Sequence, residues 1–216
     1  MKHASGTPAR LAWLKAQPRQ PGEAGFFWHE AQFGREAVKV LPGEYYVASD
    51  DILVMTTLGS CIAACLWDRR AGIGGLNHFM LPESSGSPED TADGRGGRYG
   101  AYAMELLINQ MMKHGAARSQ LEAKVFGGGQ VVAGMDTLNV GERNTRFVLD
   151  YLKTERIPVV SKDVLDIHPR KVCFLPASGK AMVKRLAAFS AARLLASERS
   201  TAVAPLASRA GSVDLF

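Results

Sequence analysis

From Glu44 to Leu81 the chain carries four β-type runs in succession, EYYVA, DILVMTTL, IAACLWD and IGGLNHFML. The first two are rich in β-branched and aromatic residues, which suit a pleated, half-buried surface, IAACLWD is a short apolar run, and IGGLNHFML reads as a further strand. The turn DRRAG joins the last two runs, and Pro82 closes the set. Strands therefore dominate the first half. Two helices sit between later strands, an order that fits a layered α/β or α+β domain better than a doubly wound sheet.

The helices have clear signatures. Met104, Leu107, Ile108 and Met111 fall at helical spacing, predicting a helix over Ala101–His114 that Gly115 stops. Phe147, Val148, Tyr151 and Leu152 form the buried stripe of a second helix over Glu142–Glu155. EAKVFGGG reads as a strand running into three glycines, IPVVSKD as another strand, and KVCFL with AMVKRL as a hairpin through PASGK. Between the last early strand and the first helix lies a polar loop, Glu83 to Gly97, of a length usually associated with lids or binding loops. Met1 to about Val38 is expected to be a poor core former, interrupted by Pro8, Pro18 and Pro21, with Phe26, Phe27, Trp28 and Phe33 packing onto the domain surface. AAFSAARLLASERS, from Ala187, predicts one more helix, followed by a loose end.

The formal charge of +5 invites a nucleic-acid reading. Its distribution argues otherwise. Lys2, Arg10, Lys15 and Arg19 precede any acidic residue, and Lys180, Lys184, Arg185, Arg193, Arg199 and Arg209 crowd the other end, so the excess sits mostly at the two ends of the chain. No RNA-binding signature accompanies it. Three cysteines make no disulfide framework and suit a reducing compartment. No apolar run reaches membrane-span or signal-peptide length, and a cytoplasmic protein without membrane insertion is expected.

Cys61, in LGSCIAA, stands where a glycine-containing turn meets a strand. A nucleophile wants that placement: exposed at a strand end, with the backbone N–H groups around Gly59 and Ser60 near enough to hold an oxyanion. His78, in GGLNHFMLP, lies at the far end of the neighbouring run. If the two runs pair as a hairpin through DRRAG, both residues emerge at one end of the sheet. Such a pair supplies a thiolate and an acid for the leaving group. A cysteine in an apolar strand is equally at home as core, and a strand-end histidine as a satisfied polar group, so from residues alone both readings stand. Cys65 and Cys173 fit the core reading. CIAAC lacks the second ligand pair a zinc site needs, so no metal is expected. FGGGQ lacks the phosphate-binding pattern, and tight turning or close backbone approach explains its glycines better.

TTLGSCIAACLWD followed by IGGLNHFMLP resembles the signature of the CheD family, the chemoreceptor glutamine deamidases. GRYGAYAMELLINQM, LEAKVFGGG and NVGERN extend the resemblance from about Gly43 to Arg185. It implies a layered α/β sandwich, with mixed or antiparallel sheets and helices packed on the outside. It divides the chain into an extension over 1–42, a deamidase domain over 43–186 and a tail over 187–216. The resemblance makes Cys61 the nucleophile and His78 the general base and acid. It also implies a threonine upstream that orients the histidine, either Thr56 or Thr57, since Met55 occupies the position expected first. The implied reaction converts receptor glutamines to glutamate through a thioester, without a cofactor, and extends by the same chemistry to glutamyl methyl esters. The implied partners are the cytoplasmic helices of chemoreceptors and, in some organisms, the phosphatase CheC. The Glu83–Gly97 loop is then a wall of the substrate groove.

Overall fold

A computed structural model describes residues 8–80, 95–130 and 140–187, with the side chains of 95–99 left aside. In chain order the elements are α1 (Pro8–Ala16), β1 (Phe26–Glu30), β2 (Arg35–Lys39), β3 (Tyr45–Ala48), β4 (Leu53–Leu58), β5 (Ile62–Asp68), β6 (Ile73–Phe79), α2 (Arg95–Lys113), β7 (Leu121–Gly127), α3 (Val140–Thr154), β8 (Val159–Val164), β9 (Arg170–Leu175) and β10 (Lys180–Arg185). The strands form two sheets of five, ordered β1-β2-β4-β9-β10 and β3-β6-β5-β7-β8. Both are mixed. Each contains one parallel pair, β2 with β4 and β7 with β8, while the other neighbours run antiparallel.

Alternation along the strands builds the layers. In β5, Ile62, Ala64 and Leu66 face α2 and α3, joining Leu107, Ile108, Met111, Val148 and Leu152 in one core. Their neighbours Ala63 and Cys65 face the other sheet, where Val54, Leu58, Val172 and Phe174 meet them in a second core. The order is thus helices, sheet, sheet, an α/β architecture of the class expected.

The N-terminal segment corrects an expectation. Among the described residues, those from Pro8 to Val38 are not a poor core former: β1 and β2 are two strands of the first sheet, in register from Phe26↔Lys39 to Glu30↔Arg35. Phe27 and Val38 are buried, whereas Phe26 stays largely exposed. Pro8 does not interrupt structure but opens α1, a position where its missing N–H would have had no helical partner anyway. Arg10 of α1, itself buried, pairs with Asp50 at 2.6 Å and with Glu36 of β2 at 3.7 Å. The Glu83–Gly97 loop lies outside the described residues except for its last residues, which open α2. The helix expected from Ala187 and the C-terminal end fall outside them as well.

Candidate active site

The connection from β4 to β5 passes from one sheet to the other, and Gly59-Ser60-Cys61 makes that passage. β5 and β6 pair as the hairpin expected, with Ala63 opposite His78 and Ile62 opposite Phe79. Cys61 continues the face of Ala63 and Cys65 in the core between the sheets. His78 shares that face through its register partner Ala63. Diagonal neighbours on one face of an antiparallel pair lie about 7–8 Å apart. The hairpin thus sets His78 diagonally across the ladder from the turn that carries Cys61. One expectation is corrected: Cys61 is not exposed at its strand end but wholly buried.

The opposing sheet contributes Thr56. In β4, Val54 and Leu58 point inward and Leu53 and Met55 outward, so Thr56 points toward His78 and Thr57 away from it. Thr56 Oγ1 donates to the Val40 carbonyl at 2.8 Å and lies 2.8 Å from His78 Nδ1. Its proton being committed to Val40, the hydroxyl accepts from the ring, which assigns the histidine proton to Nδ1. Nε2 is then the unprotonated nitrogen, and it is buried with no hydrogen-bond partner among the described residues. Desolvation lowers the His78 pKa to about 4, against a smaller opposing effect from the Val40 carbonyl, so the ring is neutral at physiological pH. The histidine backbone is also fixed, its N–H donating to Glu44 and its carbonyl accepting from Gly43.

The glycine run at the end of β7 closes around Cys61. Gly128 N–H donates to the Cys61 carbonyl and Gly129 N–H to the Gly59 carbonyl, each at 2.8 Å. Gly127 has φ +108°, and a Cβ there would stand 2.1 Å from the Cys61 carbonyl oxygen. Close backbone approach is what these glycines permit, as the sequence reading held. Asn144, fully buried near the start of α3, donates through Nδ2 to the Ser60 carbonyl at 2.8 Å. Sequence reasoning missed Asn144, since only the fold brings NVGERN to LGSC.

Cys65 and Cys173 are buried, with their thiols shifted upward by desolvation, which suits core residues and not nucleophiles. Among the described residues no group of three or more His, Cys, Asp or Glu side chains could hold a metal ion. No described helix is long and apolar enough to cross a membrane.

The family model described as CheD chemotactic sensory transduction matches residues 80–185. That span begins just after both Cys61 and His78. A probable chemoreceptor glutamine deamidase CheD 1 of Albidiferax ferrireducens is 59% identical over 215 residues, covering 99% of this chain and 89% of that protein. The chain belongs to the CheD family. A second CheD, a probable chemoreceptor glutamine deamidase of Thiobacillus denitrificans, is 51% identical over 191 residues, 88% of this chain and 94% of the relative. Among solved structures, the hypothetical protein YfiH of Bacillus licheniformis is similar over 57% of this chain and 51% of its own, at TM-score 0.39 and 9% identity. CheD relatives thus match this chain across the β4–β6 region that carries Thr56, Cys61 and His78, as well as across the later elements.

Proposed function

We propose that this CheD-family chain is a cytoplasmic protein-glutamine deamidase acting on chemoreceptors, with Cys61 as nucleophile, His78 as its base and acid, and Thr56 as the residue that holds the histidine. The observation that carries the reading is the Thr56–His78 bond, which leaves an unprotonated Nε2, unpartnered among the described residues, on the face that Cys61 shares. A buried acceptor without a partner has a cost of roughly 1–3 kcal/mol. Such a cost is expected where the partner is a reacting proton.

The chemistry follows from the atoms. As Cys61 Sγ attacks the side-chain amide carbon of a glutamine, its proton passes to His78 Nε2. Because burial disfavours a standing imidazolium, that transfer is coupled to bond formation and does not precede it. Negative charge gathers on the amide oxygen, which the Ser60 and Cys61 N–H groups would receive. The C–N bond breaks, Nε2 returns its proton to the departing ammonia, and a thioester remains on Cys61. Water then gives its proton to Nε2 and its oxygen to the acyl carbon, releasing glutamate and the thiol. A glutamyl methyl ester would follow the same route with methanol leaving.

The test is incubation with a receptor cytoplasmic fragment, following ammonia release and mapping modified residues by mass spectrometry. Glutamine converted to glutamate in an intact chain supports the reading. Backbone cleavage would instead indicate a peptidase, and turnover undiminished in Cys61→Ala would remove the cysteine from the mechanism.

A further inference from the structure

Three successive carbonyls of the nucleophile turn are anchored on its far side. The Gly59 oxygen accepts from Gly129 N–H and the Cys61 oxygen from Gly128 N–H. The Ser60 oxygen accepts from the Asn144 side chain. Each peptide unit is a rigid trans plane in which C=O and N–H point in opposite directions, and no cis peptide bond occurs among the described residues. Anchoring the Gly59 carbonyl therefore aims Ser60 N–H, and anchoring the Ser60 carbonyl aims Cys61 N–H. The first anchor is backbone. The second depends on one side chain.

We propose that Asn144 is a positioning residue whose amide, by holding the Ser60 carbonyl, fixes the Cys61 N–H in the direction that receives an oxyanion. The inference rests on the reading of Cys61 as an acyl-accepting nucleophile. Asparagine is a poor choice within a helix, because its side chain competes for backbone groups. Here it is 0% exposed and reaches a residue far away in sequence, which gives its presence a reason. The helix that carries it is seated tightly: a Cβ at Gly141 would lie 2.3 Å from the Gly128 oxygen, and Thr145 Oγ1 donates to the Gly141 carbonyl at 2.7 Å. α3 thus presses on the same Gly128 whose N–H holds Cys61, and the amide is delivered to Ser60 by that contact.

Two reactions of Cys61 separate aiming from folding. Acetylation by p-nitrophenyl acetate passes through a tetrahedral oxyanion as Sγ bonds to the acetyl carbon and p-nitrophenolate leaves. Alkylation by iodoacetamide displaces iodide at a saturated carbon and forms no oxyanion. Asn144→Ala and Asn144→Asp remove the donor, the second at nearly constant volume. In either variant that folds, acetylation is expected to slow by roughly tenfold or more, a share of the 10²–10³ lost when an oxyanion donor is deleted, while alkylation stays within about twofold of wild type. Equal slowing of both reactions, slowing of neither, an unreactive wild-type Cys61, or loss of fold in both variants by thermal unfolding overturns the proposal. A wild type that is acetylated but converts no receptor glutamine would defeat the deamidase reading and leave the Asn144 result standing.

Discussion

The hydroxyl of Thr56 serves two partners at once, donating to Val40 and accepting from His78. Replacing it by valine keeps the shape and removes both bonds. The imidazole is then free to rotate or to place its proton on Nε2, where it cannot act as a base. Thr56→Val is expected to lower kcat by roughly tenfold to 10², within the range ascribed to general acid–base catalysis, while Thr57→Val, on the outward face of β4, changes it by less than about twofold. Steady-state ammonia release from both variants checks this, and equal effects would contradict it. His78 also leaves a signature in stability. Its folded pKa, about 4, is below the ordinary 6.5, so between those values the unfolded chain binds the proton and the folded one resists it. Stability is therefore fully present above pH 6.5 and is lost as pH falls toward 4, with a slope approaching 1.4 kcal/mol per unit at about its steepest. Thermal unfolding at pH 7 and pH 5 is expected to show a smaller acid-induced drop in His78→Gln than in wild type.

The turn between β4 and β5 works only because another element closes over it. Gly127→Ala would put a methyl against the Cys61 carbonyl and force a side chain into φ +108°. The expected cost is about 2 kcal/mol or more in unfolding free energy, with activity reduced beyond what the fraction unfolded explains, because the turn that carries Cys61 must shift. Denaturant titration alongside turnover separates the two effects. Much of this arrangement could be read from the residues. The β5–β6 hairpin follows from two apolar runs around DRRAG, and with it the placing of His78 at the end of the sheet where the Cys61 turn enters, because hairpin register is set by the turn and loop length. β1 and β2 were not legible, since FFWHE and REAVK bury only part of their side chains and are embedded in polar, proline-bearing sequence. The choice between Thr56 and Thr57 was also hidden. Adjacent strand residues face opposite ways, and only the packing of the second sheet says which way is inward.

At the scale of the molecule the site lies between the sheets. Thr56 comes from one, His78 from the other, and the Cys61 turn passes between them, so its geometry depends on the spacing of two layers. That spacing is maintained by Val54, Leu58, Val172 and Phe174 against Ala63, Cys65 and Leu76, with Phe27 and Val38 completing the same core from the N-terminal strands. Removal of residues 1–42 would strip β1 and β2 from the first sheet and uncover β4, the strand that carries Thr56. The truncated chain is expected to lose cooperative thermal unfolding, and a truncated protein with wild-type stability and turnover would show those strands to be dispensable. The central step of the proposed reaction is covalent and takes place at Cys61. Its most direct test is reaction with a receptor fragment in isotopically labelled water, quenched in acid and read by mass spectrometry for wild type, Cys61→Ala and His78→Ala. The prediction is new glutamates bearing one oxygen from water in wild type, a thioester adduct on Cys61 during turnover, and no conversion in either variant. Labelled glutamate formed at an undiminished rate by Cys61→Ala, or no conversion by the folded wild type, would contradict it.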